Sequence, residues 1–199
     1  MPKTIWPALL LISLFSIASS GSEISEAQQE ARQLREFLDS TINHSDSFPD
    51  RFDAEVWLVD MSSRLERFIP TNHQTRLSLL RLIHQHATRS KLPPELVLAV
   101  IEVESSFDPY AVSRVGAQGL MQVMPFWKEE IGRPQDNLTR IDTNLNYGCR
   151  ILQFYLQKEQ GKLLDALARY NGSSNYRYSH KVRRAWRDHW RTETLNWKQ

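Results

Sequence analysis

The feature that most constrains the fold is a stretch in the middle of the sequence, from Glu95 to about Ser105, that is apolar on nearly every side of a helix. It follows Pro93 and Pro94, and proline suits a first helical turn because its missing N–H has no helical partner there. A helix that is apolar all round is buried centrally rather than lying on the surface. Its apolar residues are Leu96, Val97, Leu98, Ala99, Val100, Ile101 and Val103.

The sequence before this helix shows helical periodicity and no strand-like alternation. We predict helices over residues 23–39, over residues 53–68 and from Thr71 onwards, with a turn-rich connection at 41–51 and a stop at Pro70. The fold class is therefore mainly α. The predicted apolar positions are Ile24, Ala27, Ala31, Leu34 and Leu38; Val56, Val59 and Leu65; and Leu77, Leu80 and Ile83.

Two carboxylates, Glu102 and Glu104, stand at the end of the central helix. A carboxylate there faces the negative end of the helix dipole, and burial in an apolar shell also disfavours its charge. Both effects raise the pKa, and a carboxyl group that is still protonated near neutral pH suits a general acid for glycosidic cleavage. Residues two apart lie about 200° apart around a helix, so the two carboxylates cannot share one site.

A 22-residue motif starts at this helix end. It resembles the signature of the soluble lytic murein transglycosylase (SLT) family of the lysozyme-like superfamily, and every specified position is present. The resemblance continues through Asn144, Leu145 and Gly148 and through residues 166–172, and it covers roughly residues 85–178. The motif is Glu104-Ser105-x-Phe107-x-Pro109-x-Ala111-x-Ser113-x-x-Gly116-Ala117-x-Gly119-Leu120-Met121-Gln122-x-Met124-Pro125.

The resemblance implies a fold, a reaction and a set of site residues. The fold would be a lysozyme-like domain. Glu104 would be the single acid/base, protonating the oxygen that links N-acetylmuramic acid (MurNAc) to N-acetylglucosamine (GlcNAc), then deprotonating the muramyl C6 hydroxyl to give a 1,6-anhydro end. No metal or cofactor is implied. The implied substrate-binding residues are Ser113, Met121, Gln122, Met124, Tyr170 and Asn171, with the Tyr170 phenol expected to hold the Glu104 carboxyl.

The motif offers no second catalytic carboxylate, and this favours the reaction without water, because hydrolysis of glycosides normally uses two carboxylates. We interpret Asp108 as a turn residue, and no other acid occurs between it and Lys128. Acids elsewhere, namely Asp136, Asp142 and Asp165, could approach in space. Two alternatives stay open: a hydrolytic muramidase of the same fold, and a non-catalytic peptidoglycan-binding or assembly module.

Three departures from the family pattern affect the expected glycan subsites. Phe126-Trp127 stands where a small residue and then Thr-Ala are common, Arg169 replaces an alanine, and Gly172-Ser173 replaces Ala-Gly. Trp127 either stacks on a sugar ring or packs within the protein.

Gly116 and Gly119, two specified positions of the motif, should allow backbone bends and a close approach of the backbone to a ligand.

The first twenty residues resemble a secretory signal peptide, with Lys3, an apolar run of about 13 residues and a small-residue site after Ala18 or Ser20. The run is short of the ~20 residues of a membrane-spanning helix, and an uncleaved anchor is the alternative. No cysteine stands near the junction, so the chain is not expected to be a lipoprotein. We predict export to the periplasm or cell envelope.

Charge separates the two ends of the predicted mature chain. Lys3 is the only charge before Glu23, which leaves 24 basic and 23 acidic residues, while the segment 177–199 holds seven basic residues against two acidic ones. This balance argues against nucleic acid as a partner. The C-terminal helix is expected either to dock through Val182, Trp186 and Trp190, or to attract an anionic surface or an envelope protein.

The cysteine and histidine residues predict neither a disulfide nor a metal site. A single cysteine, Cys149, excludes an intramolecular disulfide and should be a buried packing residue. His84 and His86 are two apart on a helix and make a poor metal pair.

Taken together, the sequence predicts a monomer that binds peptidoglycan glycan strands. It has four segments: 1–20 signal peptide, 21–90 helical extension, 91–178 catalytic domain and 179–199 basic C-terminal helix.

Overall fold

The structure is a computed structural model in which residues 51–192 are described. These residues belong to one compact unit. The predicted signal peptide, the helix at 23–39, residues 41–50 of the predicted connection and residues 193–199 lie outside the described range. The helices are α1 (Arg51–Leu65), α2 (His73–Arg89), α3 (Pro94–Ser105), α4 (Trp127–Ile131), α5 (Ile141–Lys158), α6 (Leu163–Tyr170) and α7 (Arg177–Ala185), with a π-helical turn at Trp186–Trp190.

The central helix is confirmed. In α3, seven consecutive residues from Glu95 to Ile101 are buried, because α2, α7 and the π-helical turn all pack against it. The mainly α fold class is also confirmed: within residues 51–192 the non-helical pairing consists of two isolated antiparallel bridges that share Gln118. No helix in this range has the length and apolar content needed to cross a bilayer.

The predicted core face of α1 is partly wrong. Leu65 is buried, but Val56 and Val59 are 54% and 45% exposed. The buried positions are Ala54, Leu58, Met61 and Leu65, which follow the three-to-four-residue spacing of one helix face. Since Val56 is two residues from Ala54, it lies about 200° away on the opposite side. In α2, by contrast, the predicted Leu77, Leu80 and Ile83 are all buried.

The C-terminal segment docks onto the domain through apolar side chains. Val182 and Trp190 are fully buried and Trp186 is half-buried. Arg64 on α1 donates from Nη1 to the carbonyl oxygen of His189 at 3.0 Å. This confirms the predicted docking and places α7 and the π-helical turn against the end of α3.

Candidate active site

Glu104 lies in the last turn of α3, where the chain reverses sharply. Ser106 and Phe107 directly after it have φ angles of 51° and 67°, a left-handed conformation that costs a side-chain-bearing residue roughly 1–2 kcal/mol. Burial of Phe107 helps to hold this turn, because its ring packs against Phe68 at 5.2 Å and Trp190 at 5.6 Å between centroids. The reversal thus fixes the helix end that carries the carboxyl group.

The surroundings of Glu104 favour its protonated form. Burial raises the pKa of Glu104 to about 7, and this is the larger effect. The Tyr178 hydroxyl donates a hydrogen bond of 2.6 Å to Oε1, which stabilises the carboxylate and lowers the pKa in part. The predicted upward shift is confirmed, and at neutral pH the group is close to half protonated, so it can either give or take a proton.

Glu102 has different partners, as its position around the helix requires. His189 lies within hydrogen-bonding distance through Nδ1, at 2.8 Å from Oε1 and 2.9 Å from Oε2. Trp190 donates from Nε1 to Oε2 at 2.7 Å. Glu102 therefore fastens α3 to the π-helical turn.

The loop of residues 106–126, which we call the motif loop, is held by Asn144 of α5. The buried Asn144 side chain donates from Nδ2 to the carbonyl oxygens of Gln118 and Leu138, each at 2.8 Å, and its Oδ1 accepts from Met121 N at 2.7 Å. At Gly119, with φ of +75°, a Cβ would lie 2.4 Å from Asn144 Nδ2. Asn144 belongs to the extended motif, but the sequence alone does not predict this role.

Met121 was predicted to contact the substrate, and the structure contradicts this. Its side chain is fully buried and packs on α5 at Gly148, where a Cβ would lie 2.4 Å from Met121 Sδ. Cys149, also fully buried as predicted, lies beside it with 4.0 Å between the two sulfur atoms. Met121 therefore anchors the motif loop, whereas the half-buried Met124 keeps some exposed surface.

Ser113 and Gln122 hold the shape of the motif loop. Ser113 Oγ accepts from Ala117 N at 3.0 Å. Gln122 Nε2 donates to the carbonyl oxygens of Ala111 and Gly119 at 3.1 and 3.0 Å. Both side chains are half-buried, and a sugar contact by Gln122 would fall to its Oε1 atom, since its amide protons already serve the loop.

The expectation that the Tyr170 phenol holds Glu104 is wrong. Tyr170 donates instead to the carbonyl oxygen of Met121 at 2.7 Å, and Tyr178 makes the bond to Glu104. Burial and the nearby Glu104 charge raise the pKa of Tyr170 well above its usual value. Asn171 follows at the end of α6 with an exposed side chain. Tyr178 is a site residue that the motif does not predict, because it lies 74 residues after Glu104 and no local pattern links α7 to the end of α3.

The other acids considered from the sequence bond elsewhere. Asp108 Oδ1 accepts from Tyr110 N at 2.9 Å, which confirms its interpretation as a turn residue. Asp136 Oδ2 accepts from the Tyr147 hydroxyl at 2.7 Å, Asp142 bonds with His86 Nε2 at 2.8 Å, and Asp165 accepts from the Tyr176 hydroxyl at 2.6 Å. Among residues 51–192, the hydrogen-bonding partner of the Glu104 carboxyl is a phenol and not a second acid.

His84 and His86 are both buried on α2, and they face different neighbours. His86 pairs with Asp142, whereas the His84 ring meets the Trp57 ring edge-on at 5.0 Å. Burial lowers the pKa of His84 to about 4. No group of three or more potential metal ligands occurs within the described residues.

A separate groove opens beyond the motif loop, between α4 and α5, with a volume of about 570 Å³. Phe126 and Trp127 form part of its wall, and their ring centroids are 5.1 Å apart. Trp127 also meets the Tyr155 ring edge-on at 6.5 Å. Trp127 therefore packs among aromatic side chains and also lines an accessible cavity.

Comparison with known proteins places these residues in a family. The family model described as "Transglycosylase SLT domain" matches residues 81–191. Two similar curated proteins are both called membrane-bound lytic murein transglycosylase C. The one from Actinobacillus pleuropneumoniae serotype 5b is 52% identical over 46 residues, 23% of this chain and 13% of the relative. The one from Photorhabdus laumondii is 51% identical over 70 residues, 35% of this chain and 18% of the relative.

Two solved structures are also similar to this chain. An inactive mutant of the lytic transglycosylase Slt from Pseudomonas aeruginosa is 28% identical, with a TM-score of 0.41, over 51% of this chain and 17% of the other. The 70-kDa soluble lytic transglycosylase from Escherichia coli is 21% identical, with a TM-score of 0.43, over 73% of this chain and 25% of the other. The matched part of this chain thus spans a quarter or less of each of these proteins.

Proposed function

The chain belongs to the transglycosylase SLT domain family, and from this premise we propose that it is a peptidoglycan lytic transglycosylase. It cleaves the β-1,4 bond between MurNAc and GlcNAc and leaves 1,6-anhydro-MurNAc ends. The observation that carries the proposal is the half-buried Glu104 carboxyl group with a pKa of about 7 and a phenol as its hydrogen-bonding partner.

Glu104 acts first as the acid and then as the base. The protonated carboxyl gives its proton to the glycosidic oxygen as the bond from that oxygen to C1 of MurNAc breaks, and GlcNAc leaves with a new hydroxyl group. The resulting carboxylate then takes the proton of the muramyl C6 hydroxyl as its oxygen bonds to C1. The proton that Glu104 gave is restored, and no water is consumed. A pKa near the working pH suits both steps.

Attack by the sugar's own hydroxyl is supported by the partners of Glu104. Hydrolysis with two carboxylates needs the second one about 5–9.5 Å from the first, as a nucleophile or as a base that activates water. Asp108, Asp136, Asp142 and Asp165 are each engaged with a turn or another side chain. The intramolecular route needs only one carboxyl group.

The remaining site residues divide into substrate contacts and supports. Ser113, Gln122 Oε1, Met124 and Asn171 have surface left for the substrate and are the proposed contacts. Tyr178 positions the Glu104 carboxyl, whereas Tyr170 and Asn144 fix the motif loop through Met121. The supporting residues hold Glu104 and the motif loop in position, and a small displacement of a catalytic group lowers the reaction rate strongly.

We further propose that the protein is exported to the cell envelope through the signal peptide at 1–20. The exposed side of α7 carries cations that, within residues 51–192, lack a carboxylate partner within 4.0 Å. They suit an anionic partner, either carboxylates of cell-wall peptides or acidic lipid headgroups. These cations are Arg177, Lys181, Arg183 and Arg184.

The test is to digest purified murein with the full chain and to weigh the released muropeptides. Anhydro ends, one water lighter than reducing ends, must dominate, and Glu104→Gln must abolish them while murein binding persists. Glu129→Gln, an exposed carboxylate on α4, is the matched control and should release products like the parent chain.

The other two functions give different outcomes in the same assay. Mainly reducing ends would assign the chain to a hydrolytic muramidase. Murein binding without release of any product would assign it to a peptidoglycan-binding or assembly module.

A further inference from the structure

The exposed side of α7 carries a concentration of positive charge. The opposite side is fixed to the domain, because Val182 is fully buried and Ser179 Oγ donates to the carbonyl oxygen of Leu164 at 2.7 Å. The exposed side chains therefore stand on a helix that is held in place. Four of them are cations, which we call the basic face: Arg177, Lys181, Arg183 and Arg184.

The basic face is not neutralised by nearby acids. Within residues 51–192, no carboxylate lies within 4.0 Å of its four charged groups, whereas the neighbouring Arg187 pairs with Asp188 at 2.6 Å. Arg177, Lys181 and Arg184 follow a spacing of four and three residues, which puts them on one side of the helix within about 10 Å. This is about the Debye length at ~0.1 M salt, so the charges repel one another.

Two of these cations do not serve the helix that carries them. Arg177 is the first residue of α7, where the positive end of the helix dipole disfavours a cation. Arg177 and Lys181 are also like charges at a spacing of four residues, which destabilises a helix. Arg183 and Arg184, by contrast, lie in the last turn, where the dipole favours them. An anion outside the protein would relieve the repulsion at Arg177 and Lys181.

The basic face has the shape of a platform and not of a pocket. A site for one small ligand is usually concave. Neither the groove between α4 and α5 nor the smaller cavity beside Tyr176 is lined by any of the four cations. The outer side of a single helix is convex, and long side chains spread their charges over it. Such a surface fits a plane of many anions better than a single carboxylate.

We propose that the basic face docks the folded domain onto the surface of an acidic lipid bilayer, through the phosphate groups of the lipids. Arginine and lysine side chains both bind phosphate oxygens, and each adds to the attraction towards an anionic membrane surface. Since Tyr178 of the same helix bonds to Glu104, docking would hold the site of cleavage close to the membrane. This inference rests on the proposed export to the envelope and not on the proposed reaction.

The test is co-sedimentation of the full chain with two kinds of vesicle, one of phosphatidylcholine alone and one of equal parts phosphatidylcholine and phosphatidylglycerol. The parent chain should bind the acidic vesicles more tightly. Replacement of all four cations by glutamine should weaken that binding by about 10²-fold or more, since each cation near an anionic surface contributes about fivefold. Binding to phosphatidylcholine should not change, so any contribution of the apolar segment 1–20 is measured separately.

A matched control removes the same charge from other surfaces. Binding of this control to acidic vesicles should stay within about threefold of the parent, because salt screens charges that lie far from the contact. The control replaces four exposed cations together: Arg89→Gln, Lys91→Gln, Arg140→Gln and Lys162→Gln.

A double variant, Arg177→Gln with Lys181→Gln, separates loss of binding from loss of folding. It should bind acidic vesicles about 25-fold more weakly, because two contributions of about fivefold are lost. In urea it should be at least as stable as the parent, because the repulsion between the two cations is removed. A weaker-binding variant that unfolds no more easily than the parent has lost a contact and not its structure.

A charge-conserving variant separates a lipid surface from a carboxylate ligand. Lysine keeps the charge of arginine but loses the planar fork that binds one carboxylate through two hydrogen bonds. The combined change Arg177→Lys, Arg183→Lys and Arg184→Lys should therefore keep binding to acidic vesicles within about threefold of the parent.

Several outcomes would overturn the inference. One is equal binding of the parent chain to both kinds of vesicle, and another is equal binding of acidic vesicles by the parent and the variant that lacks all four cations. If that variant lost binding to peptide-bearing sacculi and kept binding to vesicles, the basic face would be a site for peptide carboxylates instead. Failure of the proposed function looks different: the chain would bind acidic vesicles through the basic face and release no anhydro products from murein.

Discussion

Glu102 and Glu104 have identical side chains and lie two residues apart on α3, but their hydrogen-bonding partners differ. Glu102 faces an imidazole and an indole N–H, both of which can donate to it. Glu104 is half-buried with a single phenol as its hydrogen-bonding partner, and desolvation raises its pKa to about 7. The 200° step between alternate helix positions is enough to make one carboxyl group an anchor and the other an acid.

Both sides of α3 are completed by the same C-terminal segment. Tyr178 comes from α7, whereas His189 and Trp190 come from the π-helical turn that follows. The ten residues between Tyr178 and His189 are therefore enough to cross the end of α3, so that one segment supplies a partner to each carboxylate. Docking of this segment through Val182 and Trp190 supports the catalytic group as well as the fold.

The largest contrast is expected from replacing each carboxylate by its amide. Glu104→Gln should lower the turnover of murein by about 10²–10⁴, the usual contribution of a general acid or base, without loss of stability. Glu102→Gln should keep most of the turnover and lower the free energy of unfolding by about 1–3 kcal/mol, because the buried Trp190 N–H and the half-buried His189 ring lose a carboxylate acceptor. Turnover on purified murein and urea unfolding at pH 7 measure the two effects.

The contrast between Glu102 and Glu104 would be refuted if Glu104→Gln and Glu102→Gln lost turnover to the same degree. It would also fail if Glu104→Gln were the less stable of the two. Either result would mean that the two carboxylates share one role and that the different partners on the two sides do not matter.

The pH dependence of stability should distinguish Glu104 further. Its pKa is about 4.5 when unfolded and about 7 when folded. Between these values the folded chain keeps a proton that the unfolded chain has released, so stability falls as pH rises. From pH 5 to pH 8 the parent chain should lose about 2–3 kcal/mol of unfolding free energy relative to Glu104→Gln. Urea unfolding of both proteins at the two pH values measures the difference, and equal pH dependence would contradict the burial of this carboxyl group.

The sequence predicted features that depend on neighbours along the chain. The upward shift of the Glu104 pKa follows from an apolar helix and its C-terminal end, and both can be recognised within residues 95–105. The buried face of α2 was predicted for the same reason, since Leu77, Leu80 and Ile83 recur at helical spacing. Local spacing was a poor guide in α1, because its apolar residues occur on more than one side and only packing against α2 selects Ala54, Leu58 and Met61.

Features that depend on distant residues could not be predicted in this way. The motif letters identify Met121 and Tyr170 but do not say which way they face. Met121 turns inwards because Gly148, 27 positions later, leaves room for its sulfur atom. Tyr170 binds the backbone at Met121, which leaves the contact with Glu104 to a tyrosine outside the motif.

The smallest expected effect concerns the phenol beside Glu104. Tyr178→Phe removes a hydrogen bond that stabilises the carboxylate, so the pKa of Glu104 should rise further above about 7. Since the first step needs the protonated form, the decline of kcat/KM on the alkaline side should move to higher pH, while the maximal rate falls about tenfold because the carboxyl group is less firmly placed. The pH profile on purified murein measures both.

Tyr170→Phe is the matched control, because it also removes one buried phenol hydroxyl near Glu104. Its bond goes to the neutral carbonyl oxygen of Met121, so the alkaline decline should stay where it is, with a loss of about 1 kcal/mol in unfolding free energy. A decline that moves in Tyr170→Phe and stays fixed in Tyr178→Phe would reverse the assignment and restore the arrangement expected from the motif. A decline that moves to lower pH in Tyr178→Phe would show that the phenol stabilises the protonated acid instead.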